Sequence, residues 1–180
     1  RDGHVALGMR MWKRGRLQAV FGQQKRLVFQ DNPAKAIDVA RKGGRVMLVW
    51  AGKEPVGLPP DLVINRVEDG FLRSRGLGAE LVPPLSLVTD DCGIYYDPTR
   101  ASQLESLIRQ PLPDAARLRA ERLQAKVIAA RISKYNLSAM PSPDLPQGLR
   151  LLIPGQVEDD ASIRLGAGTV NTNLGLLQAA

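Results

Sequence analysis

Two clusters of carboxylates stand out in the chain, Val67-Glu68-Asp69-Gly70 and Gln156-Val157-Glu158-Asp159-Asp160. Each sits where an apolar run gives way to a glycine-containing turn. At the C-terminal end of a strand in an open α/β sheet, a carboxylate faces the crevice where such folds bind ligands. Paired acids there can supply a nucleophile and a general acid or base, the combination that double displacement at a sugar's anomeric carbon requires. The competing role is structural, capping the helices that follow.

Other groups are weaker signals. Arg73 and Arg75, among Gly70, Gly76 and Gly78, read as an anion clamp in which the glycines let backbone N–H groups approach an oxyanion. Lys134-Tyr135-Asn136 reads as the end of a long helix, where a cation meets the helix dipole. The stretch from Gly166 to Asn173 can hold a ligand or be a helix cap made by Asn171 or Thr172. His4 is the only histidine and Cys92 the only cysteine, which excludes a zinc site or a Cys/His nucleophile pair within these residues. Neither a GxxxxGK[ST] phosphate loop nor a GxGxxG dinucleotide turn is present.

The elements that must position the acids follow from periodicity. Residues 9 to 21 space Met9, Trp12, Leu17, Val20 and Phe21 as a basic amphipathic helix. Residues 26 to 30 form a short buried strand; Asn32-Pro33 opens a helix that stops at Gly43-Gly44, and residues 46 to 50 form a continuous apolar strand. Strand, helix, strand with short connections is a βαβ unit, so the fold class is α/β: a Rossmann-like parallel sheet with helices on both faces. Residues 62 to 67 are a further strand, delivering Glu68 and Asp69 at its end. Residues 85 to 88 and 94 to 96 flank Asp90-Asp91-Cys92-Gly93 as a hairpin whose glycine supplies positive φ. Ser102 caps a helix to Ile108, and a longer helix spans about Asp114 to Ile132. Residues 137 to 148 carry three prolines without periodicity and read as a linker. A new strand over residues 149 to 153 ends in the second acidic cluster.

Composition sets bounds. A chain of 180 residues with 44% hydrophobic and 24% charged residues is globular and holds one sizeable domain. No run approaches the ~18 apolar residues of a membrane span, and no signal-peptide pattern opens the chain, which points to the cytoplasm. Residues 1 to 45 hold eleven Lys or Arg against three Asp, whereas the remainder is close to neutral. Such a segment suits an anionic membrane surface, nucleic acid or an anionic substrate, or is a solvated basic face. The chain opens without Met and closes on an uncapped apolar helical pattern, so it reads as part of something longer.

The residues together carry a resemblance. Val67-Glu68-Asp69-Gly70-Phe71-Leu72-Arg73-Ser74, Gly76-Leu77-Gly78, Pro84 to Val88, Gly93-Ile94-Tyr95-Tyr96-Asp97, Lys134-Tyr135-Asn136 and Pro154 to Ser162 resemble the bacterial capsule polysaccharide biosynthesis/export family, and within it the β-Kdo glycosyltransferase modules. The likeness runs in order from about Trp12 to the end of the chain. It implies a GT-B-like pair of Rossmann-like domains, with residues 1 to 136 on the acceptor side, 137 to 148 as linker and 149 to 180 opening the nucleotide-sugar domain. It implies transfer of Kdo from CMP-Kdo, with retention of the β configuration and no metal or other cofactor, to a phosphatidylglycerol-type lipid acceptor. The expected setting is the cytoplasmic side of the inner membrane, peripherally bound beside the capsule assembly and export machinery, with no nucleic acid partner.

By that likeness the nucleophile is Asp159 or Asp160, Glu68 handles the proton and Asp69 supports it. Arg73, Ser74, Gln156, Glu158 and Ser162 form the substrate-binding set. One departure stands against the family pattern: its nucleotide domain carries a His-Pro motif, and the only histidine here is His4. The chain alone is therefore expected to lack most of the CMP site and to be inactive. Two other readings stay open: a noncatalytic basic module binding membrane or nucleic acid, and an unrelated nucleotide-sugar enzyme of the same architecture.

Overall fold

A computed structural model describes residues 3–138, 141 and 143–180. Five strands form one sheet in the order β2-β1-β3-β4-β5, with β1 at His4–Leu7, β2 at Val28–Gln30, β3 at Val46–Trp50, β4 at Ile64–Asp69 and β5 at Leu87–Asp90. The first four are parallel and β5 runs antiparallel to β4, which departs from the expected all-parallel sheet. Parallel pairing needs a long crossover, usually a helix. The return from β4 to β5 holds only turns and one short 3-10 segment, so the chain comes back along the strand it has just left.

Alternation decides what each face receives. Val5, Leu7, Met47 and Val49 pack with Ala36 and Ala40 of α2 (Pro33–Lys42) on one face. Ala6, Leu48 and Val67 pack with Leu17 of α1 (Met11–Phe21), Met9 and Leu27 on the other. The expected helix coverage of both faces holds. Asn32 caps α2 by accepting from the Lys35 N–H at 3.1 Å, with Pro33 in its first turn. Of residues 26 to 30 only Val28–Gln30 form a strand, half-buried and at the sheet edge, and β1, four residues long, has no counterpart in the periodicity reading.

α1 is also less free than a basic amphipathic helix suggests. Arg14 pairs with Asp31 at 2.8 Å and Lys13 reaches Asp69 at 3.5 Å, so two of its cations serve the fold.

Two further expectations are corrected. Asp90 to Gly93 is no hairpin turn, because β5 pairs with β4 and residues 94 to 96 form no strand. The Asp90 carboxylate instead accepts the Cys92, Gly93 and Gln103 N–H groups at 2.7–2.8 Å, and Gly93 does not take positive φ. Glycine is needed there because a Cβ would lie 2.7 Å from the Ala101 carbonyl oxygen. Asp90, Asp91 and Cys92 are the one group of three metal-ligating side chains gathered among the described residues, and Asp90 is already committed to backbone donors.

Residues 149 to 153 are likewise not a strand. Leu149 and Leu152 are more than 90% exposed, and no described strand lends them the N–H and C=O partners a ladder requires.

α3 (Gln103–Arg109) opens with a capping box between Ser102 and Glu105. α4 (Asp114–Ala129) follows with no buried residue and ends before Lys134. α5 (Ala161–Gly166) and α6 (Asn173–Ala179) complete the chain. Of the linker, Ala139, Met140 and Ser142 lie outside the described residues; the rest has no helix or strand.

Gly70 closes β4 where its N–H donates to the Ser86 carbonyl at 2.9 Å. A Cβ on residue 70 would meet Ser86 Oγ at 2.1 Å and its backbone carbon at 2.9 Å. Gly70→Ala is expected to cost about 1–3 kcal/mol in urea unfolding, as overpacking does; an unchanged midpoint would show that β5 yields freely.

Candidate active site

The strand end that carries the first acidic cluster is built by β4, α1 and a distant loop. Alternation turns Asp69 toward the α1 face with Val67, and Glu68 toward the other. Glu68 Oε1 accepts the Asp69 N–H at 2.8 Å, and the Tyr96 hydroxyl donates to Glu68 Oε2 at 3.4 Å. Burial pushes the Glu68 carboxyl above its ordinary range, opposed by the Asp69 N–H and reinforced by the charge of Asp69 and, more weakly, Asp160. An upward shift is the direction that general acid–base work by a carboxyl calls for.

Asp69 has other work. Arg73 donates from Nε to Asp69 Oδ2 at 2.5 Å and from Nη1 to Ser74 Oγ at 2.8 Å, and Ser74 donates onward to the Gly76 carbonyl at 2.7 Å. Arg73 is 1% exposed and Ser74 2%. Lys134, Tyr135 and Asn136 clamp this turn from outside: the Arg73, Ser74 and Gly76 N–H groups donate to the Lys134 and Tyr135 carbonyls, and Asn136 Nδ2 donates to the Ser74 carbonyl at 2.8 Å. Gly78 presses against the guanidinium, since a Cβ there would lie 3.0 Å from Arg73 Nη2. The expected Arg73/Arg75 clamp is thus not assembled: Arg73 faces inward and Arg75 outward into solvent.

Lys13, not singled out in the sequence, belongs to this centre. Its Nζ lies 3.5 Å from Asp69 Oδ1 and 3.1 Å from the centroid of the Trp50 ring. Burial lowers its pKa to about 8, with Asp69 and Glu68 pulling it back up. The folded chain therefore binds fewer protons here than the unfolded chain between about 8 and the ordinary 10.5, and this group's contribution to stability rises across that window. NMR of ¹³C-methylated lysines should show one resonance titrating near 8 and missing in Lys13→Arg; a Lys13 midpoint near 10.5 would refute the burial.

Phe71, Tyr95 and Tyr96 form an aromatic wall beside Glu68, with ring centroids 5.0 and 5.3 Å apart. Burial raises both phenols, Tyr95 to about 12, so both remain O–H donors at neutral pH.

The second acidic cluster divides. Asp160 N-caps α5, its Oδ1 accepting from the Ser162 N–H at 2.8 Å and hydroxyl at 2.7 Å, and its charge raises the pKa of Glu68, Tyr95 and Tyr96. A Cβ on Gly52 would lie 3.0 Å from Ala161 Cβ and one on Gly166 2.7 Å from the Tyr96 carbonyl oxygen, so α5 lies tightly over the β3 and Tyr96 loops. Asp159 is exposed, and its side chain makes no hydrogen bond or ion pair among the described residues. Glu158 accepts the Asn173 N–H at 2.6 Å, and Asn173 brackets the Gln156 backbone at 2.8 and 2.9 Å. Gln156, Glu158 and Ser162 therefore hold α5 and α6 in place. Thr172, not Asn171, caps α6 by accepting from the Gly175 N–H at 3.0 Å.

Comparison with known proteins bears on the whole arrangement. The profile of the family described as "Capsule polysaccharide biosynthesis protein" matches residues 60–143, the stretch holding Glu68, Asp69, Arg73, Tyr95, Tyr96 and the Lys134 to Asn136 clamp. The chain is 39% identical over 180 residues to the capsule polysaccharide modification protein LipA of Neisseria meningitidis, covering 96% of this chain and 25% of that one. Over residues 60–143 the chain is similar to the capsule polysaccharide biosynthesis family. It is also 50% identical over 114 residues to the lipopolysaccharide-processing protein LpsZ of Rhizobium meliloti, covering 60% of this chain and 26% of that one. Among solved structures it is similar to Thermosulfurimonas dismutans KpsC, beta Kdo 2,7 transferase, with TM-score 0.75 and 29% identity over 99% of this chain and 56% of that one. The chain spans about a quarter of the length of the curated relatives it matches. Its α/β sheet is the fold the resemblance implied.

Proposed function

We propose that this chain supplies the acidic centre of a retaining β-Kdo transferase of capsule polysaccharide biosynthesis. The observation that carries the reading is the packing of α5, which Asp160 caps, against Gly52 and Tyr96, the tyrosine whose hydroxyl donates to Glu68. The likeness to a solved Kdo transferase supports it. As proposed, an Asp160 carboxylate oxygen attacks the anomeric carbon of CMP-Kdo, and CMP leaves with the bonding electrons. The acceptor hydroxyl then attacks the same carbon from the vacated face, the Asp160–carbon bond breaks, and Glu68 receives the hydroxyl proton. Two inversions retain the β configuration, and the chemistry runs on carboxylates without a metal. Asp69 supports by fixing Arg73 and Lys13 beside the centre.

Residues 1 to 136 serve the acceptor, a phosphatidylglycerol-type lipid at the inner-membrane surface, and 149 to 180 open the nucleotide side, joined by 137 to 148. Membrane contact is peripheral in this reading; among the described residues no helix is long and apolar enough to cross a membrane. The test is transfer from CMP-Kdo by the complete enzyme carrying Glu68→Gln, Asp160→Asn or Asp159→Asn. The first two lose activity and the third keeps it. Full activity in Asp160→Asn sinks the proposal.

A further inference from the structure

The chain reverses its direction of sheet growth between β1 and β3: β2 is added on one side of β1, and β3, β4 and β5 on the other. In open α/β sheets the crevice at such a reversal, outside the carboxyl ends of the strands, is where ligands bind. Here it is a small cleft lined by Gly8, Met9, Arg10, Lys13, Trp50 and Lys53. Three of the six lining residues are cations and none is an acid. Asp69, reaching Lys13 from beside the cleft, balances one of them, whereas Arg10 and Lys53 enter no ion pair among the described residues. Cations crowded without counter-charge repel one another and raise the local concentration of anions.

Two features tune the cleft further. Lys13 has a side chain only 12% exposed, fixed over the Trp50 ring, so it is a positioned charge rather than a solvated one. The cleft also receives the start of α1, which has neither a side-chain cap at Arg10 nor an acid in its first turn. Its backbone dipole adds to the positive field. The enclosed space is far smaller than that of whole-ligand pockets, which run from about 300 Å³. It fits one charged group of a larger molecule.

We propose that this crevice is an oxyanion subsite in which Arg10, Lys13 and Lys53 hold the carboxylate or phosphate of the acceptor. The assignment rests on the transferase reading and gives the acceptor's charged group a place that the buried Arg73 cannot offer. Holding that group at the β1–β3 crevice brings the rest of the acceptor toward β4, where Glu68 stands.

The experiment is a titration of the full 180-residue chain at low ionic strength, following the backbone amides of Gly8, Arg10 and Lys53 by ¹H–¹⁵N NMR. The probes are Kdo, its methyl ester and inorganic phosphate. Kdo, phosphate or both should shift these amides saturably while the neutral ester does not. Kdo alone would identify a carboxylate as the bound group, and phosphate alone the lipid phosphate. Arg10→Ala combined with Lys53→Ala, both at exposed positions and checked for an unchanged spectrum elsewhere, should weaken binding at least tenfold. If neither anion shifts these amides, or the double variant binds as tightly as the parent, the subsite is refuted. Because binding involves neither donor nor bond making, this test can fail while the Glu68 and Asp160 variants still abolish transfer, and the converse holds too.

Discussion

Glu68→Gln in the complete transferase is expected to lower transfer by roughly 10²- to 10⁴-fold, the usual worth of a positioned acid–base group, while leaving the fold at least as stable as the parent. Burial raises the folded pKa of Glu68 above its ordinary 4.5. The group's favourable contribution is therefore fully present below about 4.5 and is lost as pH rises through the folded value. At neutral pH the parent carries the cost of a buried carboxylate beside Asp69 and Asp160, and the amide does not. The variant's melting temperature should match or exceed the parent's at pH 7, and that advantage should vanish below about pH 4.5. Asp160→Asn should cost roughly 10³-fold or more, because a covalent step has no substitute for its nucleophile, whereas Asp159→Asn should stay within a few fold. A Glu68→Gln enzyme that is inactive because it is unfolded at pH 7 would contradict the electrostatics as well as the chemistry.

Arg73→Ala is expected to destabilise by about 3–5 kcal/mol, the cost of breaking a buried ion pair by removing one partner. Asp69 would be left with Lys13 alone, and the Gly70 to Gly78 turn would lose its centre. Arg73→Lys should recover only part of this, since an ammonium cannot reproduce the fork that reaches Asp69 and Ser74 together. Arg75→Ala, two residues on and exposed, should change stability by less than about 0.5 kcal/mol. Urea midpoints at constant m-value decide the matter. Equal effects at 73 and 75 would mean that Arg73 is not buried as described.

What the sequence made legible followed from local rules. The continuous apolar run at 46 to 50, the Asn32-Pro33 helix start and the Ser102 cap each announce themselves within one turn of chain, and each is present. The glutamate and aspartate of β4 were found because their strand is long and bounded by glycine. β1 escaped because four residues at one end of the chain carry too little periodicity.

Other features depended on partners distant in sequence. Arg73 looked available because nothing near it in sequence reveals that the carbonyls of residues 134 and 135 fold over it. Lys13 was one cation among eleven until α1 placed it against Trp50 and Asp69. Asp90 drew a hairpin reading because its carboxylate mimics a turn while holding the start of α3. Residues 149 to 153 have a strand's composition, but pairing is a property of two segments, and no described segment pairs with them. That Asp160 and not Asp159 caps α5 likewise depended on where the helix begins.

The contact between Gly78 and the Arg73 guanidinium has a consequence for how this turn can vary over generations. A side chain at 78 forces the guanidinium to give by a few tenths of an ångström, and a shorter residue at 73 leaves space that a side chain at 78 could fill. Neither position can drift alone. A methyl group at 78 should be harmful beside Arg73 and nearly silent once residue 73 is small, so the two form an epistatic pair whose substitutions are inherited together or lost.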